Sequence, residues 1–182
     1  MQESTMQQCR NPQCRIGYGT PLVLEANGQP TLFSTGADWL YAYHPDTGKE
    51  LWKLSYGALG FSIVPRPVAG HGMLFLSTSF MRPHVLAVRI DAQEPEIAWK
   101  YKRGAPSTPS PILVGDELYF VNDSGGIVTC LNAQTGAENW RERIGGNHSA
   151  SCQRKNLFSQ QRRRNGRATG QQDIQSPRQE QA

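Results

Sequence analysis

Leu40-Tyr41-Ala42-Tyr43-His44-Pro45-Asp46-Thr47-Gly48-Lys49-Glu50-Leu51-Trp52 and Val128-Thr129-Cys130-Leu131-Asn132-Ala133-Gln134-Thr135-Gly136-Ala137-Glu138-Asn139-Trp140 are two copies of one pattern. In each, a small residue, Ala42 or Cys130, precedes the tryptophan by ten positions. A third copy, Val85-Leu86-Ala87-Val88-Arg89-Ile90-Asp91, leads to Trp99, and there Ala87 stands twelve positions ahead, so its turn is longer. Each copy reads as a hairpin. A strand of alternating apolar residues meets a turn of the type Pro45-Asp46-Thr47-Gly48, in which a short polar side chain bonds its own backbone and the glycine takes a positive φ. A second short strand is expected to end at the Trp, which closes the unit.

Working outward, another strand pair precedes each hairpin. These are 20–24 with 31–34, 64–68 with 73–77, and 109–114 with 117–121, joined at Asn27-Gly28, Gly70-His71-Gly72 and Gly115-Asp116. The unit is therefore four strands, with Trp-to-Trp spacings of 47 and 41 residues. Four antiparallel strands at this period are the signature of a β-propeller blade, a small sheet that buries its faces against its neighbours. The turn, the strands and the aromatic repeat together, which a generic β-sandwich does not require. The fold class read here is all-β: an incomplete β-propeller sector of about three to four four-stranded antiparallel blades. The repeat motif is carried by Ala42, Asp46, Gly48, Trp52, Ala87, Trp99, Cys130, Gly136 and Trp140.

The chain has 182 residues, of which 37% are hydrophobic, with 19 Lys and Arg against 15 Asp and Glu. No run of about 18 apolar residues occurs, which excludes a membrane-spanning helix. The opening Met1-Gln2-Glu3-Ser4-Thr5 has no apolar stretch of the kind a secretion signal needs. From Cys152 onward there are seven basic and two acidic residues, so the basic balance belongs to a tail and the remainder is near neutral. Nucleic-acid binding would rest on that tail alone, with Arg162-Arg163-Arg164 attracting phosphates non-specifically.

The residues expected to do chemistry do not assemble in the sequence. Cys9 and Cys14 lie five apart, Cys130 sits in an apolar run and Cys152 opens the tail, which is not a zinc-ligand spacing and leaves disulfide and free thiol open for the first two. His44, His71, His84 and His148 are dispersed and read as turn residues; Asp38, Asp46, Asp116 and Asp123 all neighbour turns. Gly125-Gly126 lacks the following Lys-Ser/Thr of a phosphate cradle. No catalytic, cofactor-binding or metal-binding residue is assigned.

At Ala42, Asp46-Thr47-Gly48 and Trp52, and again at Leu131 to Gly136 and Trp140, the chain resembles the tryptophan-docking motif of the pyrroloquinoline-quinone-type (PQQ-like) propeller repeat. The resemblance runs from about Tyr18 to about Ser151. Stretches such as 100–111 and 119–126 look like the non-enzymatic branch of that family, quinoprotein-like or outer-membrane-assembly-like, abundant in planctomycete-type bacteria. Such proteins are mostly exported, so the resemblance implies a periplasmic or otherwise exported location. The family ring has about seven or eight blades, so this chain reads as a part of one whose open faces need missing blades or oligomerisation. PQQ dehydrogenases carry a vicinal cysteine pair, a calcium site of Glu, Asn and Asp, and a catalytic Asp; no residue here matches that set one by one. The resemblance thus implies a non-catalytic binding or scaffold module without PQQ, presenting loops around 57–63 and 103–107 to a protein or polymer partner. Its alternative is a degenerate quinoprotein dehydrogenase that requires PQQ and calcium.

Three segments follow: 1–17, a poorly ordered start; 18–151, the blades; and 152–182, a disordered basic tail. The repeat stops abruptly at Cys152, where the next blade's strands are due. Permitted codons for 152–168, read one base later, yield ASGKIYFLSNEGETVVL, which alternates like a strand and turns at Asn-Glu-Gly. The tail is therefore read, as a hypothesis, as a frameshift product. An intact reading frame whose real codons do not yield that string would sink it.

Overall fold

The computed structural model describes residues 17–92 and 94–144. The expectations for 1–16 and for the tail at 152–182, with Cys9, Cys14, His148 and Cys152, lie outside the described residues. Among the described residues, twelve strands form three four-stranded sheets, each an antiparallel meander. The first sheet is β1 (Leu22–Ala26), β2 (Gln29–Thr35), β3 (Trp39–Tyr43) and β4 (Glu50–Ser55). The second is β5 (Val68–Gly70), β6 (Met73–Ser77), β7 (Val85–Arg89) and β8 (Glu96–Tyr101). The third is β9 (Ile112–Val114), β10 (Glu117–Val121), β11 (Ile127–Asn132) and β12 (Glu138–Arg143). This is an incomplete all-β propeller sector of three blades.

Two expectations about strand limits are corrected. The first strands of the second and third blades start later than 64 and 109, because Pro65, Pro67, Pro109 and Pro111 bring no N–H to a ladder; β5 and β9 shrink to three residues each. The tryptophans do not end their strands. Trp52, Trp99 and Trp140 lie within β4, β8 and β12, directly opposite Ala42, Ala87 and Cys130. The register shifts beside each of those pairs, so that Leu51, Ala98 and Asn139 are extra residues immediately before the Trp. Such a bulge bends the strand and re-aims the following side chain, in all three blades at the same place.

Alternation then assigns the faces. Phe33, Leu40 and Ala42 of the first sheet pack with Leu74, Leu76, Leu86 and Val88 of the second. The second sheet's other face, Met73, Phe75, Val85 and Ala87, packs with Leu118, Phe120, Leu131 and Ala133 of the third. Only the middle sheet has described neighbours on both faces, and β6 is accordingly buried at every residue whereas β10 alternates. Each fully buried Leu or Phe contributes roughly 2 to 3 kcal/mol of apolar transfer, so the two seams are what hold the sector together.

Candidate functional site

The nine repeat residues fall into two groups. Ala42, Ala87 and Cys130 each sit between an aromatic residue on the preceding strand and the Trp on the following one. Phe33 and Trp52 have ring centroids 5.7 Å apart, Phe75 and Trp99 5.9 Å, Tyr119 and Trp140 6.0 Å. A small side chain between them leaves the space through which the rings meet. Phe33, Phe75 and Tyr119 therefore belong to the motif; their position opposite the small residue, two strands from the Trp, was the signal that could have found them.

Gly136, Gly48 and Asp46 belong to the turns. Gly136 has φ +72°, and a Cβ there would lie 2.6 Å from Cδ2 of Trp99, so the ring of one blade rests on the glycine of the next. The Trp99 indole N–H donates to the Ala133 carbonyl at 3.0 Å. Gly48 has φ +67° and nothing described within 4 Å of its Cβ position. In the Gly136 turn the Asn132 carboxamide oxygen accepts from the Gln134 and Thr135 N–H groups at 3.0 and 2.9 Å. In the Gly48 turn that place is taken by His44, whose Nδ1 accepts from the Asp46 N–H at 3.3 Å; the exposed Asp46 carboxylate does not close the turn, contrary to expectation.

The other histidines are also separate. His71 Nε2 reaches the Gly115 carbonyl at 2.9 Å, tying the second blade to the third, and His84 Nδ1 contacts the Arg82 carbonyl at 3.0 Å. Among the described residues no three His, Cys, Asp or Glu side chains gather where they could hold a metal ion. No described helix is long and apolar enough to cross a membrane.

One end of the sheets carries a different kind of surface. The connector from β4 to β5, the loop between β6 and β7, and the connector from β8 to β9 meet there, around an open groove of about 360 Å³. Phe61, Val64 and Phe80 give it apolar walls, with the Phe61 and Phe80 rings edge to face at 5.5 Å. Ser62, Ser79, Ser107 and Thr108 complete the lining. Both loops expected to matter, 57–63 and 103–107, contribute to it. The loop between β6 and β7 was missed, although Phe80 is 60% and Met81 71% exposed. An unbroken run from β6 into Ser-Phe-Met reads as more strand, which is why sequence alone hides it.

Buried hydroxyls hold these loops in place. Ser77 donates to the Pro106 carbonyl at 2.5 Å and Ser79 to the Ser107 carbonyl at 2.7 Å, while Thr78 donates to the Arg82 carbonyl at 3.0 Å. Asp123, from the third blade, accepts the Ser107 N–H at 2.6 Å and the Thr108 N–H at 2.9 Å. Partial burial would raise the Asp123 pKa, but the bonds from Ser107 and Thr108 outweigh it and hold the carboxyl below its usual range. Gly60 has φ +107°, and a Cβ there would collide with the Phe80 carbonyl oxygen at 2.1 Å. Ser62 and Met81 hold left-handed backbone at φ 58° and 85° without being glycine, a costly conformation that the surrounding bonds must enforce.

Charge is segregated between the two ends of the sheets. The end with the two-residue turns bears Glu25, Asp46, Glu50, Asp91, Glu94, Glu96, Asp116, Glu117 and Glu138, against Lys49 and Arg89. The loop end bears Arg66, Arg82, Lys100, Lys102, Arg103, Arg141 and Arg143, against Asp38, Asp123 and Glu142. Lys53, near mid-strand, pairs with Glu50 at 3.6 Å.

Known proteins share this architecture. The family model described as outer membrane protein assembly factor BamB matches residues 13–168. Among solved structures, a quinohemoprotein alcohol dehydrogenase, ADHIIG from Pseudomonas putida HK5, is 21% identical with a TM-score of 0.56, over 75% of this chain and 22% of its own. BamB from Moraxella catarrhalis is 20% identical with a TM-score of 0.54, over 70% of this chain and 38% of its own. A europium-containing methanol dehydrogenase is 18% identical with a TM-score of 0.55, over 72% and 25%. No curated protein matches the chain. These identities speak for the fold alone, and the chain spans well under half the length of each of these structures. The bulged Trp strands, the three meander sheets and the match over 13–168 lead to one conclusion: this chain belongs to the PQQ-like propeller family described as outer membrane protein assembly factor BamB.

Proposed function

We propose that this chain is a non-catalytic binding and scaffold module, a sector of an exported PQQ-like propeller that presents its loop end to a protein partner. The observation that carries this reading is the pairing of exposed Phe80 and Met81 with the Phe61-walled groove, on loops fastened by buried hydroxyls. A soluble surface leaves such side chains in water at a cost unless something covers them. The family description, outer membrane protein assembly factor, supports both a protein partner and an exported location. The repeat tryptophans serve in this reading as blade-to-blade docking groups.

The test replaces Phe61, Phe80 and Met81 together by Ser. The variant is expected to keep its circular dichroism spectrum and melting temperature within a few degrees, while losing partner association in the source cells. Retention of all partners would sink the reading. The alternative, a degenerate quinoprotein dehydrogenase, predicts instead stoichiometric uptake of PQQ with calcium and a bound-quinone absorption band.

A further inference from the structure

We propose that the loop end recognises an acidic segment of its protein partner, with a bulky apolar side chain packed against the Phe61 and Phe80 pair. This rests on the loop-end reading above and names the chemistry of what binds there. Four observations combine. The open groove is walled by two aromatic rings packed edge to face at 5.5 Å, an apolar platform on which one bulky side chain can rest. Arg66 and Arg82, each two residues from a groove wall at Val64 and Phe80, are exposed and have no carboxylate partner among the described residues.

Third, the carboxylate nearest the groove, Asp123, is turned onto the Ser107 and Thr108 N–H groups and so is already engaged. Lys102 extends the basic rim on the third loop, while Arg103 is engaged by Glu138 at 3.7 Å. Fourth, acidic side chains outnumber basic ones at the far end and basic ones outnumber acidic ones at the loop end, so the field favours an anionic segment at the loops over the turns. The apolar side chains line a recess with hydroxyl-bearing neighbours, which fits a peptide better than a bilayer surface.

The probe is a fluorescein-labelled synthetic peptide alternating glutamate with leucine and phenylalanine, titrated with the full chain and read by anisotropy. Arg66→Glu with Arg82→Glu is expected to weaken binding about tenfold, and Phe80→Ser to do so about as much, with added salt acting like the charge variants. Lys49→Glu with Arg89→Glu makes the same change in net charge at the far end and is expected to leave binding within about twofold. Equal weakening by both charge pairs would overturn the proposal, because net charge or the basic tail would then explain the binding. A peptide with lysine in place of glutamate is expected not to bind. If it binds as well and Phe80→Ser abolishes this, the acidic chemistry falls while the loop-end reading stands. Binding only to phosphatidylglycerol vesicles would overturn both, and binding to no probe would overturn the acidic segment.

Discussion

Trp99 lies across the seam between the second and third blades with its indole N–H on the Ala133 carbonyl at 3.0 Å and its ring against Gly136. One side chain thus closes an apolar seam and satisfies a polar group at once, and its cost of removal combines both. Trp99→Ala is expected to destabilise the chain by about 3 kcal/mol, measured by urea denaturation. A loss below about 1 kcal/mol would mean that the seam is held elsewhere.

The two turn glycines are expected to differ. Gly136→Ala forces a methyl to 2.6 Å from the Trp99 ring and strains a positive φ, whereas Gly48→Ala meets only the φ cost. The first should cost about 2 to 3 kcal/mol and the second about 1 kcal/mol. Equal melting-temperature losses would show that something covers Gly48 as Trp99 covers Gly136.

The small residue between the rings sets a volume limit. Ala87→Leu drives three added heavy atoms toward the Phe75 and Trp99 pair and is expected to cost about 2 to 3 kcal/mol, while Ala87→Gly should cost about 1 kcal/mol. Near-neutral behaviour of the leucine variant in denaturant melts would argue against the three-residue stack.

Asp123 makes the loop connector sensitive to acid. Its folded pKa is depressed, so the stability it contributes is present above the unfolded carboxyl pKa and is lost as pH falls through the lower folded value. Because the group is largely exposed, the contribution is about 1 kcal/mol. Asp123→Asn is expected to cost that much at neutral pH, and the difference is expected to vanish as pH falls through the depressed folded pKa. A constant difference across pH would assign the effect to shape and not to charge.

The blade count and the strand order were legible because two periods coincide: alternation along each strand and the Trp spacing along the chain. Strand limits were less so, since Pro65 and Pro67 sit inside an apolar stretch that looks like strand yet lacks the donors. The placement of Trp52, Trp99 and Trp140 within their strands was hidden because the bulge that aims them adds one residue with no composition of its own: Leu51, Ala98 or Asn139. Of the loop end, the segments 57–63 and 103–107 were expected from where a propeller usually presents its loops. Phe80 and Met81 were not, because whether an aromatic pair faces a core or water depends on where β6 stops. That limit is set in part by the hydroxyls of Thr78 and Ser79, which bond the loops in place of a ladder. Segregation of charge between the two ends appears only once the strand directions assign each residue to an end.

The most direct measurement of the loop end as the interaction surface is photo-crosslinking in the source cells from a benzophenone amino acid placed at Met81, with Gln134 on the opposite turns as control. The account predicts one discrete protein adduct from Met81, absent from Gln134 and lost when Arg66 and Arg82 are replaced by glutamate. Equal adducts from both positions, or none from Met81 in cells where the chain is folded, would contradict it.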